Sequence, residues 1–211
     1  MIDITQPLSV TTAPWPGDTP LQLDWTLHLS RGDNVSLSGI SLSTHLGTHA
    51  DAPAHYMPDG HAMDGFALSA FVGPVRVINA VGCDSVTAQV LEEHSALDSP
   101  RVLVRTLAEV VPEKFVSDYP PLAPGGAEAL VSAGVRLYGT DAPSIDPMDS
   151  ADMTAHRILG AAGLPILENL DLSRAPAGEY DLIALPMKLV EAEAASVRAV
   201  LLPAGSLALK S

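Results

Sequence analysis

Alternation of apolar and polar residues predicts β-strands early in the chain. In residues 21–29, leucines and Trp25 alternate with polar side chains. Residues 35–42 continue the pattern after the turn signal Gly32-Asp33-Asn34, and the two runs therefore predict a β-hairpin. Gly39 interrupts the second run and predicts a β-bulge there. The second strand would lead directly into the histidine-rich segment that follows it.

The rest of the chain mixes strand-like and helix-like patterns. Short apolar runs predict further strands at residues 75–81, 101–107, 135–141, 165–170, 181–189 and 197–202. Helices are predicted at residues 86–94, at 125–133, and from Asp149 or Ser150 to Ala162. Because strands outnumber helices and helices fall between some strand pairs, the sequence predicts an α/β fold with helices packed on a mixed β-sheet. No repeat or linker divides the 211 residues, so we expect a single domain, residues 1–211.

The first twenty residues form a different kind of segment. Four prolines surround Trp15, which predicts an extended, turn-rich arm. Trp15 then has two interpretations. It is either an anchor packed on the core or an aromatic wall of a ligand pocket, since the prolines would hold such a loop rigid.

Composition and charge narrow the range of partners. The chain is 47% hydrophobic and can bury a core, and its formal net charge of −14 argues against nucleic acid or an anionic membrane surface as a partner. Cys83 is the only cysteine, which excludes an intrachain disulfide and fits a cytoplasmic location. We expect no signal peptide, because residues 1–5 begin neither a basic n-region nor an apolar h-region. We expect no membrane span, because no apolar run approaches the roughly 20 residues needed.

The candidate chemistry is concentrated in residues 43–56, STHLGTHADAPAHY. Its ligand-type residues are His45, His49, Asp51 and His55. Imidazole nitrogens and carboxylates are the usual ligands of zinc and similar divalent cations. The spacing H-x-x-x-H-x-D therefore predicts a metal site in which His45, His49 and Asp51 leave a coordination position open for catalysis. The backbone of this segment could be a helical turn or a loop shaped by its glycine and proline.

Two polar residues lie within apolar elements of the second half. His156 shares a face of its predicted helix with Met153 and Leu159, a pattern more typical of a hydrogen-bonded core histidine than of a ligand. Glu168 lies in an apolar strand, where an unpaired carboxylate is costly to bury. If both residues reach the histidine-rich segment, the site has more ligands than one zinc ion binds. Two metals that share Asp51 as a bridge would account for all of these ligands.

Other common catalytic motifs are absent from the sequence. It contains no G-x-S-x-G, G-x-x-x-x-G-K-[ST] or G-x-G-x-x-G, so serine-hydrolase, P-loop and Rossmann interpretations lose their usual support. Cys83 follows a glycine at a predicted strand end and is better explained as a buried or incidental thiol than as a nucleophile.

Residues 45–55, HLGTHADAPAH, resemble the signature H-x-G-T-H-x-D-x-P-x-H of the cyclase-type metal-dependent hydrolases. The resemblance extends over nearly the whole chain and includes residues 15–20, 141–144, 155–156, 166–168, 176–180 and 184–186. The motif W-P-G-D-T-P at residues 15–20 and the chain length most resemble the bacterial kynurenine formamidases (arylformamidases) of this family.

The resemblance implies a swivelling β/β/α fold, a homodimer and two zinc ions per chain, with manganese as an alternative metal. The positions that match the family's metal ligands are His45, His49, Asp51, His156 and Glu168. Asp51 matches the residue that bridges the two metals. His55 matches the catalytic acid/base, and Trp15 matches an aromatic position at the substrate.

The activity implied by the resemblance is hydrolysis of N-formyl-L-kynurenine to L-kynurenine and formate, in tryptophan degradation. One alternative is another amide or lactam hydrolase of the same family, such as one that acts on isatin. A second alternative is a metal-binding protein without catalysis. His55 separates this last alternative from the others, because metal storage or sensing needs only the ligands.

Overall fold

A mixed β-sheet of nine strands runs through the molecule, in a computed structural model that describes residues 1–207. In chain order the strands are β1 (Ile2–Asp3), β2 (Gln22–Leu27), β3 (Leu37–Ser41), β4 (His49–Asp51), β5 (Val72–Asn79), β6 (Val102–Arg105), β7 (Tyr138–Thr140), β8 (Ile166–Glu168), β9 (Gly178–Ile183), β10 (Ala194–Ser196) and β11 (Val200–Pro203). The α-helices are α1 (Ala88–Glu93), α2 (Pro124–Ser132) and α3 (Thr154–Ala161). None of the helices within residues 1–207 is long and apolar enough to span a bilayer.

The strand order in the large sheet is β1-β11-β9-β5-β6-β7-β8-β4-β10. Strands β5, β6, β7 and β8 pair in parallel, and the other pairs are antiparallel. Parallel strands need a connection that crosses a face of the sheet, and α1, α2 and α3 lie in the three crossovers. The predicted α/β fold with helices on a mixed sheet is therefore confirmed.

The large sheet separates two apolar cores. On one face, Leu91, Leu130 and Leu159 of the three helices pack against the strands. Strand β6 illustrates the alternation of side chains between the faces, because Val104 belongs to this helix-covered core and Leu103 to the opposite one. Polar residues on the face of Val104 therefore lie on the side of the sheet that the helices cover.

The start of α3 differs from the prediction. The helix begins at Thr154 and not at Asp149 or Ser150. Met153 adopts a left-handed φ of 48°, which a helix cannot continue, and its N–H donates to the Ser150 side chain instead. Strands β1, β4 and β10 are not predicted by the sequence either, because runs of two or three residues carry no readable periodicity.

The predicted hairpin is confirmed as β2 and β3, which form a two-stranded sheet of their own. The predicted bulge at Gly39 is wrong, since this residue pairs in register with Asp24. The irregularity instead lies in β2, between Trp25 and Leu27, where the strand has one residue more than its partner. Both strands of the hairpin are exposed almost throughout.

Candidate metal centre

Three of the ligand-type residues are brought together by the pairing of β4 with β8. In this antiparallel register His49 lies directly opposite Glu168. Residues two apart on a strand share a face, so Asp51 points to the same side as His49. All three are buried, and they lie on the helix-covered face, because the intervening Ala50 belongs to the opposite core. The segment from His45 to Asp51 is thus a turn followed by strand β4, and not a helical turn that carries His45 and His49 on one side.

The other two ligand-type residues approach from a helix and from a turn. His156, in the first turn of α3, places Nε2 3.3 Å from Glu168 Oε1 and 3.6 Å from Asp51 Oδ2. His45 lies in the turn before β4, with Nδ1 3.1 Å from Asp51 Oδ1. Gly47 makes this turn possible with a left-handed φ of 64°. The structure therefore brings all five residues to one place.

These side chains fit a bound metal. They form two overlapping groups, His45 with His49 and Asp51, and Asp51 with His156 and Glu168, and within each group the ligand atoms lie within 4.8 Å of one another. Among the described residues, His49 Nε2 and both carboxylate oxygens of Asp51 are buried without a hydrogen-bond partner. Unpaired buried polar atoms are costly, and a divalent cation between them would remove that cost.

Hydrogen bonds at the far side of two rings orient them for coordination. His49 Nδ1 lies 2.8 Å from the Gly47 carbonyl oxygen, and His156 Nδ1 lies 2.7 Å from Asp146 Oδ2. Because both partners are acceptors, each Nδ1 donates its proton to them, and Nε2 is the ring atom that faces the cluster and is available to a metal. Such partners are typical of metal-binding histidines.

The charge of the cluster favours a cation. Burial opposes protonation of His49, but the Asp51 and Glu168 carboxylates raise its pKa to about 10. Burial likewise opposes charge on Asp51, yet the surrounding histidines hold its pKa well below the usual range. The two carboxylates thus attract positive charge to this position, and a divalent metal ion would supply it in place of protons.

Asp146→Asn is expected to weaken metal binding roughly 10- to 100-fold. Asp146 accepts from the His156 ring and from the N–H groups of His156 and Ala155. Asparagine keeps one acceptor for the helix but removes the charge that holds the ring. Chelator competition measures the affinity, with circular dichroism as the check on folding. Unchanged affinity in a folded variant would show that Asp146 does not orient His156.

His55 lies beside the cluster but in neither group of ligand-type residues. It ends a short turn, Pro53–His55, directly after β4. Its ring centroid is 4.2 Å from that of His45 and 6.4 Å from that of His156. Burial lowers the pKa of its imidazole, despite the opposing effect of Asp51. A largely neutral imidazole is therefore held next to the metal position, where it can take up a proton.

A cavity of about 510 Å³ opens over the cluster. Its volume is in the range of small-molecule sites. Trp15 lies on the cavity wall and packs edge-to-face on Phe115, with ring centroids 5.2 Å apart. A hydrogen bond from Ala13 N to the Pro112 carbonyl oxygen ties the N-terminal arm to the loop that carries Phe115. The structure thus places Trp15 on the wall of the cavity, and its contact with a substrate stays a prediction.

Several residues of this site are not singled out by the sequence. Phe115 lies in a proline-rich segment predicted only as a loop, and Asp146 in a segment predicted only as a turn. Lys114 and Arg157 line the cavity as well. The sequence carries no signal for Arg157, because consecutive residues on a helix do not share a face.

Comparisons with known proteins find relatives that match most of the chain. The model of the Cyclase family, described as "Putative cyclase", matches residues 2–147. The chain is 44% identical over 204 residues to the kynurenine formamidase of Salinibacter ruber, covering 95% of this chain and 96% of that protein. It is 43% identical over 203 residues to the kynurenine formamidase of Bordetella pertussis, covering 94% and 96% respectively.

Solved structures share the architecture. A protein described as a "potential metal-dependent hydrolase with cyclase activity" superposes with a TM-score of 0.79 at 28% identity, covering 94% of this chain and 95% of that one. Isatin hydrolase A from Labrenzia aggregata, bound to benzyl benzoate, has the same fold with a TM-score of 0.79 at 23% identity, covering 95% and 92%.

Proposed function

This chain belongs to the Cyclase family, and we propose that it hydrolyses N-formyl-L-kynurenine to L-kynurenine and formate. The observation that carries the proposal is the five-residue cluster, four of whose members are buried, with the imidazole of His55 beside it, in a chain whose 43–44% identical relatives are kynurenine formamidases. The chain would act as one catalytic domain in the kynurenine pathway of tryptophan degradation. A cytoplasmic location stays a prediction from the single cysteine.

We infer two zinc ions per chain, one in each of the overlapping ligand groups, with Asp51 as the shared ligand. With two ions, all five side chains can act as ligands, and neither ion exceeds the four-coordinate geometry that is usual for zinc. Imidazole and carboxylate ligands also accept manganese, so that metal is the alternative. Metals bound here would supply Lewis acidity, which polarises an amide carbonyl and makes a bound water acidic near neutral pH.

Residues near the metal position would hold the substrate and transfer the proton. Trp15 and Phe115 offer an aromatic corner against which the substrate ring can pack, and this fixes the position of the formamide. His55 acts as acid and base, receiving a proton as the amide is attacked and giving it to the departing aryl amine. The neutral imidazole that burial favours is the form that starts this cycle.

Steady-state assays with N-formyl-L-kynurenine, isatin and formanilide test the proposed substrate. The proposal expects the highest kcat/KM for N-formyl-L-kynurenine. The fold shared with isatin hydrolase makes lactam hydrolysis the second candidate. Negligible formamidase activity at full metal occupancy, with efficient isatin hydrolysis, would replace the first candidate by the second.

We propose that the hairpin formed by β2 and β3 binds a second copy of the chain. Leu23 and Ile40 lie opposite each other across the hairpin, and Trp25 follows on the same face, all three exposed. A two-stranded sheet with a solvated apolar face is marginal by itself. A homodimer would cover this face.

Ile40→Asp is expected to shift the protein from dimer to monomer, because a carboxylate would be buried without a partner in the interface. Light scattering coupled to size-exclusion chromatography measures the molar mass. Val190→Asp is the control, since Val190 is 69% exposed and Ile40 65%, but Val190 lies outside the hairpin. A wild-type monomer, or a dimer that Ile40→Asp leaves intact, would contradict this interface.

A further inference from the structure

We propose that Lys114 and Arg157 bind the α-carboxylate of the substrate at the mouth of the cavity and so select arylformamides that carry an amino-acid side chain. The inference rests on the proposed formamidase function. It adds residues that recognise the part of the substrate remote from the reacting bond.

The first observation is that both cations are exposed, line the cavity and lack an acidic partner. Neither forms a salt bridge or side-chain hydrogen bond with any residue from 1 to 207. By contrast, Arg76 pairs with Glu179, and Arg101 donates to backbone carbonyl oxygens. Lys114 and Arg157 are therefore free to receive an anion from solution.

The second observation is the charge around them. The chain carries a formal net charge of −14, and Asp18 and Asp141, which belong to neither group of ligand-type residues, also line this cavity. An acidic cavity repels a carboxylate unless cations stand at its entrance. A neutral formanilide would need no such cations, whereas N-formyl-L-kynurenine presents a carboxylate.

The third observation is where the two cations lie along the chain. Arg157 directly follows His156 in α3, and Lys114 directly precedes Phe115. Each cation is therefore next in the chain to a residue of the site, and both side chains line the same cavity. In N-formyl-L-kynurenine the formamide and the amino-acid chain stand on neighbouring ring carbons. With the formamide at the cluster and the ring against Trp15 and Phe115, the amino-acid chain is left to reach the mouth of the cavity.

Removing charge from both enzyme and substrate tests the contact. We would measure kcat and KM of the metal-loaded protein for N-formyl-L-kynurenine and for N-formylkynuramine, the same molecule without the carboxylate. The variants are Lys114→Gln, Arg157→Gln and both together. Each single variant should lose roughly tenfold in kcat/KM on N-formyl-L-kynurenine, mainly through KM, as expected for one charged hydrogen bond. On N-formylkynuramine no variant should lose activity.

Arg174→Gln and Lys188→Gln are matched controls, because both residues are exposed, lie outside the cavity lining and change the net charge equally. If a variant lost kcat/KM equally on the two substrates, or if the controls lost as much as the variants, Lys114 and Arg157 would not contact the carboxylate. The losses would then come from the change in net charge alone. A wild-type enzyme that prefers N-formylkynuramine would overturn it too. If the wild type hydrolyses neither formamide, the proposed function fails and the inference fails with it.

Discussion

His55→Ala is expected to lower kcat for N-formyl-L-kynurenine by roughly 10²- to 10⁴-fold, the usual contribution of a positioned acid/base. Its metal content should equal that of the wild type. The expectation follows from the position of His55, whose ring lies against His45 but outside both groups of ligand-type residues. A small change in KM is expected, since His55 would act on the transition state more than on bound substrate.

His94→Ala is the control for this variant, because His94 is an exposed histidine at the end of α1, away from the cavity. Turnover and metal content are measured on the same preparations. If His55→Ala keeps wild-type kcat, the acid/base role is wrong. If it loses metal along with activity, His55 is a ligand, and the division of labour proposed for residues 45–55 is wrong.

Asp51→Asn is expected to abolish turnover and to reduce metal content from two ions per chain to fewer than one. Asp51 Oδ1 lies 3.1 Å from His45 Nδ1 and 3.3 Å from His49 Nε2, while Oδ2 faces His156. Asparagine has the same shape but replaces one oxygen by an amide NH₂ that cannot coordinate. The loss of affinity should exceed the roughly 10- to 100-fold expected for an outer carboxylate such as Asp146.

Asp181→Asn controls for the substitution itself, because Asp181 is also a buried strand aspartate but accepts from Leu207 N at a site outside the cluster. Metal analysis by mass spectrometry and circular dichroism on both variants separate loss of metal from loss of fold. Full occupancy by two metals in Asp51→Asn would contradict the bridging role.

The local half of the site could be predicted from the sequence. His45, His49 and Asp51 stand within seven residues, and ligand chemistry alone pointed to a metal. The structure adds the physical reason, since the two-residue spacing on β4 places His49 and Asp51 on one face.

The distant half of the site could not be derived from local patterns. His156 and Glu168 lie on apolar elements, and only the family resemblance joined them to the first three residues. Their meeting depends on β8 lying beside β4, and strand order is set by packing over the whole sheet. The role of Asp146 is harder still to predict from the sequence, because it depends on where α3 begins. The sequence pattern predicts that start several residues too early.

Release of kynurenine from N-formyl-L-kynurenine, before and after metal is restored to chelator-treated protein, tests the central claim most directly. The metal-free protein should be inactive, and activity should return as zinc is added, reaching its full value near two ions per chain. Turnover by protein shown to be metal-free, or no turnover by protein with both positions filled, would contradict the account of this chain as a metal-dependent formamidase.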